Sequence, residues 1–242
     1  MKIDVVRDPS SAYQPRLEDS IAVVIDVLRA ASTICTALAN GCREIIPVAE
    51  VADAYDAAAI YPRPLLLFAG ERHGRRIDGF DLGNSPKEFQ PEVVAGKIII
   101  LTTTNGTRAL LWAQGAQRTL VLSFLNLHSV ISFLSTVDQD VVIICSGQDG
   151  EESLEDTVCA GLLVERLQEI LKDKVQLTEQ ARGAAAVARD HKIDLLAMMI
   201  ASPHGEHLQK IGYADDLEIC SRLNSLDVLP VYTDGAIRLL PR

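Results

Sequence analysis

Three segments of the chain repeat one plan, and that plan restricts the fold more than any other feature. Each is a short β-branched run, then a polar loop, then a stretch rich in Ala and Leu. They are 21–25 (IAVVI) with loop 26–29 and 30–40; 97–101 (KIIIL) with loop 102–107 and 108–114; and 140–145 (DVVIIC) with loop 146–152 and 153–171. Runs this apolar are buried on both faces, as parallel strands are when helices cover the sheet on either side. The expected fold class is α/β, a largely parallel or mixed sheet covered by helices. Aromatic residues make up only 5% of the chain against 48% hydrophobic, so Val, Ile, Leu and Ala must fill the core.

The first two units also resemble each other. Each opens its helix with Arg-Ala (Arg29-Ala30, Arg108-Ala109) and closes it with a glycine (Gly41, Gly115) of the kind favoured just past a helix end. Each then continues into another apolar run, 44–49 and 119–125. An internal duplication of β-loop-α units is expected. No long Pro/Gly/Ser linker divides the chain, so residues 1–242 should pack as a single α/β unit, with room for two pseudo-repeated lobes packed together. Residues 70–89 carry four Gly and one Pro and read mostly as a functional loop or lid. In the tail, 203–242, a helix is expected near 214–223, and the apolar run 228–232 as an edge strand closing the sheet.

Composition narrows the function. The formal net charge is −10 with no Lys/Arg-rich stripe, which argues against a nucleic-acid partner. The five cysteines are scattered among apolar neighbours without a Cys-x-x-Cys pair, as reduced core thiols are. The first ten residues, MKIDVVRDPS, lack the apolar run of a signal peptide, and the longest apolar stretch, 195–201, is too short to cross a bilayer. A cytoplasmic protein with no membrane partner is expected. A homodimer is left open.

Ligands of open α/β sheets sit beyond the carboxyl ends of the strands. The loops there hold Asp26, Arg29 and Ser32; Thr103, Thr104, Asn105, Gly106, Thr107 and Arg108; and Ser153, Glu155 and Asp156. Carboxylates suit a divalent metal, while hydroxyls and backbone N–H groups at a helix start suit phosphate. Each group has a plainer reading too. Asp26 could cap the following helix, the threonines could cap a turn, and Glu155 and Asp156 could offset the helix dipole. Three arginines within 72–76 could be a solvated charge run. Walker A, G-x-G-x-x-G, G-x-S-x-G and Cys-x₅-Arg motifs are absent. Arg72-His73-Gly74 matches the short string of histidine phosphatases but follows several elements rather than the first strand, and a second histidine, His204 or His207, could equally cap a helix.

The segments VVIDVLRAASTI (23–34), GERHGRRIDGFDLGNSPKEF (70–89), LTTTNGTRAL (101–110), CSGQDGEESLEDTVCAG (145–161) and SPHGEHLQKIGYADDLEIC (202–220) together resemble the 2-phosphosulfolactate phosphatase family, first associated with coenzyme M biosynthesis. The resemblance implies a three-layer α/β/α fold, Mg²⁺ dependence and hydrolysis of 2-phosphosulfolactate to sulfolactate and phosphate. On this reading Asp26, with Glu155 or Asp156, holds Mg²⁺. Arg29, Asn105, Arg108 and the 103–107 loop meet the transferring phosphoryl group. Glu71, Arg72, Arg75, Asn84 and Ser85 join Ser32 as substrate-binding candidates, Arg72 and Arg75 reading the sulfonate or carboxylate. Water is the favoured nucleophile, and an aspartyl-phosphate on Asp26 stays open. The alternatives are a phosphatase or phosphotransferase for another small anionic metabolite, and a non-catalytic phosphometabolite-binding protein.

Overall fold

A computed structural model describes residues 1–8, 13, 15–191 and 194–240. The chain begins with β1 (Lys2–Val6), β2 (Ser20–Ile25), α1 (Ala30–Ala39), β3 (Glu44–Pro47), α2 (Val51–Ala58), β4 (Leu66–Arg72) and β5 (Arg75–Arg76). It continues through α3 (Pro91–Val94), β6 (Ile98–Thr102), α4 (Gly106–Trp112), β7 (Arg118–Leu122), α5 (Leu127–Leu134), β8 (Asp140–Cys145) and α6 (Leu154–Leu171). The last part holds β9 (Gln176–Leu177), α7 (Glu179–His191), α8 (Leu195–Ala201), α9 (Pro203–Lys210), α10 (Ala214–Cys220), β10 (Pro230–Thr233) and β11 (Ala236–Leu239). All three β-loop-α units read from the sequence form.

The strands make one eleven-stranded sheet among the described residues, in the order β5-β4-β6-β3-β11-β10-β7-β2-β8-β1-β9. The strands β7, β2, β8, β1 and β9 pair in parallel, as do β4, β6 and β3. Between the two parallel sets lies the antiparallel hairpin β10–β11, bonded to β7 on one side and β3 on the other. The run at 228–232, expected at an edge, is thus central. Strand β10 has its hairpin partner β11 on one side and β7, from a distant part of the chain, on the other, a pairing that local pattern cannot show.

The two similar units interlock across this hairpin. Strand β2 leads through α1 to β3 on the far side, and β6 leads through α4 back to β7, so β2 lies beside β7 and β3 beside β6. Each unit contributes one strand to either side. Helices α1 and α4 touch each other, and the loops that begin them meet: a Cβ on Gly106 would collide with the carboxylate of Asp26 and lie 2.6 Å from Ala30 Cβ.

Alternation along the strands builds the layers. Ile21, Val23 and Ile25 of β2 face a core shared with α5, α6 and α7, while Ala22 and Val24 face the layer of α1 and α4. In β6, Ile99 and Leu101 join that α1–α4 layer, and Ile98 and Ile100 pack with Phe68, Phe80 and Ala54 of α2. Helices therefore cover both faces, giving the expected three layers. The free cysteines Cys35, Cys42, Cys145, Cys159 and Cys220 are all buried. Among the described residues no helix is long and apolar enough to cross a membrane.

Gly161 in α6 marks the closest approach of α7. A Cβ there would collide with the carbonyl oxygen of Ala184 and lie 2.6 Å from Ala188 Cβ. Helix propensity alone favours Ala over Gly by about 1 kcal/mol, but overpacking against backbone costs about 1–3 kcal/mol or more. Gly161→Ala is therefore expected to destabilise the protein by roughly 1–3 kcal/mol, a fall in Tm of several degrees in thermal unfolding. A rise in Tm would mean that α7 simply moves aside.

Candidate active site

Strands β2 and β8 pair with Ile25 opposite Cys145, which brings Asp26 and Ser146 out of the sheet side by side. Asp26 is buried, and its Oδ1 accepts from the Ala30 N–H at 3.0 Å. Asp156, in the first turn of α6, bridges both loops: Oδ1 accepts from Val27 N–H at 2.8 Å and Oδ2 from the Ser146 hydroxyl at 3.1 Å. Glu155 is equally buried, with Oε1 3.2 Å from His204 Nδ1. Ser153 caps this helix through the Asp156 N–H, yet both acids turn inward, so more than helix-dipole compensation holds them there.

Crowding three carboxylates out of water shifts them apart. Burial pushes Asp26 up to about 6, partly offset by the charge of His204 and the Ala30 hydrogen bond. Asp156 rises well above the carboxylate range through burial and the charges of Asp26 and Glu155. For Glu155, burial works upward, but the hydrogen bond and charge of His204 win and hold it below its ordinary value. A buried like-charge cluster of this kind is destabilising without a compensating cation.

The opposite wall comes from β4 and the loop after β6. Glu71 Oε1 accepts from Thr104 N–H at 2.7 Å, and Oε2 accepts from Gly74 N–H at 2.7 Å and the Thr104 hydroxyl at 3.2 Å. Its oxygens thus set the shape of two loops. His73 and Gly74 both have positive φ, 52° and 76°, as the tight turn between β4 and β5 requires. The 70–89 segment is therefore partly sheet: it completes β4 and returns along it. Thr103 and Thr107 are buried and bind each other, Thr107 N–H donating to Thr103 Oγ1 at 3.1 Å and Thr103 N–H to Thr107 Oγ1 at 3.2 Å. Thr103 Oγ1 thus takes an N–H of the first turn of α4, and Thr107 Oγ1 returns a bond to the loop before it.

Arg29 is the buried cation of the site. It donates from Nη1 to Asp216 Oδ2 at 2.9 Å and from Nη2 to the Gly74 carbonyl at 2.6 Å, with its guanidinium 4.3 Å from the centre of the Tyr213 ring. The other oxygen of Asp216 accepts from Ser85 at 2.6 Å. Next to Ser85, Asn84 is held through its carbonyl by Thr33, and its Oδ1 is buried with no hydrogen-bond partner among the described residues. Ser32 donates to the Val27 carbonyl at 2.8 Å and shapes the loop from behind.

A cleft brings together Asp26, Arg29, Glu71, Asn84, Thr104 and Asn105 from the sequence candidates. It does not gather all of them. Arg108 lies on the surface beside Glu50 at 3.3 Å, because its place in α4 points away from the loop that precedes it. Arg72 is spent on the carbonyls of Glu71 and Ala49 and on the Thr102 hydroxyl. Arg75 opens on a separate groove with Arg76, Lys87 and Asp215. Neither arginine lines the cleft. Gly106, Thr103, Thr107, Ser32 and Ser85 support the walls, and Glu155 and Asp156 lie behind Asp26. The cleft adds His73, Gln148, Asp149, His204 and His207. His204 and His207 carried one signal, a three-residue spacing after Pro203 that puts both on one helical face; Asp216 carried none.

Among the described residues, no group of three or more His, Cys, Asp or Glu side chains could hold a metal ion by itself. Mg²⁺ asks for less: one or two carboxylates, the remaining positions filled by water or substrate oxygens. Asp26 at the cleft, a negative field from the two acids behind it, and the unpartnered Asn84 Oδ1 fit such a hard cation.

Removing Asp216 would leave Arg29 charged and unpaired in the interior. Asp216→Ala is expected to cost roughly 3–5 kcal/mol, against about 1 kcal/mol for Ser85→Ala. Chemical denaturation of the two variants measures the difference, and equal small losses would show that Arg29 reaches solvent instead.

The sequence model of the 2-phosphosulpholactate phosphatase family matches residues 7–235. A protein of Clostridium beijerinckii named as a probable 2-phosphosulfolactate phosphatase is 35% identical over 237 residues, covering 98% of this chain and 99% of that protein. One of Symbiobacterium thermophilum with the same name is 41% identical over 224 residues, covering 93% of this chain and 96% of its own length. A third, from Caldanaerobacter subterraneus, is 37% identical over 222 residues, 92% and 91% of the two chains. With a family match across nearly its whole length and relatives of equal span, the chain belongs to the 2-phosphosulpholactate phosphatase family.

Proposed function

We propose that this protein is a Mg²⁺-dependent phosphoric monoester hydrolase that converts 2-phosphosulfolactate to sulfolactate and phosphate. The observation that carries the reading is the end-to-end similarity to proteins named for that activity. The buried acids opening on a cleft beside Arg29 supply a chemical basis for it.

Phosphoryl transfer needs positioning and charge stabilisation more than covalent help. Arg29, fixed by Asp216, the Gly74 carbonyl and Tyr213, meets the phosphoryl oxygens with the N–H groups it has left. Asn105 and Thr104, on the loop shaped by Glu71, face the same space. Asp26, with Asp156 and Glu155 behind it, would hold Mg²⁺, which when bound supplies Lewis-acid stabilisation of phosphoryl charge. His204, oriented by Glu155, sits where it can pass a proton to the departing alkoxide. Water is the nucleophile in this reading. The cleft is lined by no Ser or Cys among the described residues, and burial raises every cysteine thiol of the chain.

Phosphate release from 2-phosphosulfolactate should stop after exhaustive chelation and return with added Mg²⁺. Undiminished turnover in the chelated protein would remove the metal from the mechanism.

Asp26→Asn should separate activity from stability. Asn keeps the acceptor for Ala30 N–H but not the charge, and kcat/KM is expected to fall at least about a hundredfold, as for loss of a group acting on the transition state. Burial raises the Asp26 carboxyl to about 6 from its ordinary value of 3.8. Its contribution to stability is thus complete below the lower value and lost as pH rises through the higher one. In metal-free protein at pH 8 the substitution should therefore stabilise, by up to roughly 3 kcal/mol. Thermal unfolding at pH 5 and pH 8 checks this; equal destabilisation at both would make Asp26 a structural cap.

A further inference from the structure

We propose that His207 and His73 form the sulfonate-recognising end of the cleft. This rests on the reading of 2-phosphosulfolactate as substrate and names the residues that select it.

The substrate carries phosphate, carboxylate and sulfonate, all of them hydrogen-bond acceptors when ionised, so the cleft must offer donors and positive charge. The arginines that the sequence suggested for this task do not line it: Arg72 is bound to carbonyls and Thr102, and Arg75 opens on another groove. Arg29 has two N–H groups already given to Asp216 and Gly74. The remaining lining side chains that can carry positive charge are His73, His204 and His207, three of the five histidines of the chain.

Their placement divides the cleft. His204 is tied to Glu155 at the acid end. His207 lies three residues further along α9 on the same face, a rise of about 4.5 Å. Four bonds separate phosphorus from sulfur in 2-phosphosulfolactate, a span comparable to that rise. A phosphoryl group beside Asp26, Arg29 and His204 thus carries its sulfonate towards His207.

There the β4–β5 turn meets α9. His207 Nε2 lies 3.3 Å from the His73 carbonyl oxygen, and Nδ1 has no hydrogen-bond partner among the described residues. The carbonyl takes the Nε2 proton, so Nδ1 is the atom left for a ligand, and in the doubly protonated ring it donates to a sulfonate oxygen. The imidazole of His73 makes no hydrogen bond among the described residues and is exposed beside it. The turn is packed tightly: a Cβ on Gly74 would lie 2.6 Å from Ile211 Cδ1 and 3.4 Å from His207 Nε2. The two histidines, distant in sequence, are therefore held as a pair. The nearby acid Glu71 is spent on Thr104 and Gly74 backbone N–H groups, leaving Asp149 as the other carboxylate of the lining beyond Asp26.

The test is discrimination between 2-phosphosulfolactate and 2-phospholactate, the same ester without the sulfonate. His207→Gln and His73→Asn are the variants, Asn being chosen because it tolerates the left-handed backbone at position 73. The ratio of kcat/KM for the sulfonated over the sulfonate-free ester should fall about tenfold or more in each, chiefly through KM, as for loss of one charge-assisted contact. His128→Gln, outside the cleft, should leave the ratio unchanged. Calorimetric binding of sulfolactate against lactate gives a readout independent of turnover and should lose the same preference. An unchanged ratio in both variants, or equal losses on both esters, overturns the assignment. A wild-type protein that binds sulfolactate selectively but releases no phosphate refutes the proposed reaction and leaves the sulfonate site to be judged by the binding arm.

Discussion

Asp156 is the side chain on which the active-site end of this fold depends. The β2–β8 ladder ends with Ile25 opposite Cys145, and the two chains must part there to form loops. Asp156 accepts from Val27 N–H on one loop and from Ser146 on the other, so a single carboxylate fixes the exit of both strands. It does so within reach of Asp26 and Glu155, each of which raises its own tendency to stay protonated. The raised pKa values of Asp26 and Asp156 and the contact of Glu155 with His204 are how the fold accommodates three acids so close together.

The interlocked sheet explains why such a cluster can be assembled at all. Because β2 and β3 lie on opposite sides of the β10–β11 hairpin, and β6 and β7 likewise, the two similar units present their loops to each other. Gly106 lies against Asp26 and Ala30 with no room for a side chain. Two similar elements thus bring two different sets of side chains to one cleft. The first loop supplies Asp26 and Arg29; the second supplies Thr104 and Asn105, while its own arginine, Arg108, pairs with Glu50 on the surface.

What the sequence made legible follows from the range of the forces involved. Buried runs, helix starts and the loops between them are set by neighbours within a few residues, so the β-loop-α units and Asp26, Arg29 and Asn105 could be read directly. The contents of the tail could not. Asp216 meets Arg29 across 187 residues of sequence, and the β10–β11 hairpin finds its neighbours in β7 and β3. The arginine-rich stretch misled for a related reason. Charge density along the chain says nothing about direction, and in a two-stranded hairpin adjacent side chains point to opposite faces. Arg72 and Arg75 are cross-strand partners, and the residues that reach the cleft are those of the turn between them.

An acidic protein acting on a polyanion must concentrate positive charge where the fold, and not composition, puts it. With a net charge of −10, the long-range field repels an anionic substrate, but screening limits that to about 8–10 Å at ordinary ionic strength. Inside the cleft short-range partners decide. Arg29 is held rigid by three contacts, so little side-chain entropy remains to be lost when an anion arrives. Asp216 and Tyr213 tie it to the tail and the Gly74 carbonyl ties it to the β4–β5 turn, the same elements that bring His204, His207 and His73 to the cleft. The tail therefore does more than close the sheet: through Asp216 it aims the one arginine buried among the described residues, and through α9 it supplies His204 and His207. A phosphoryl-transfer site on this sheet needs both contributions, since the loops alone bring three acids and a single cation to a substrate that is itself negative.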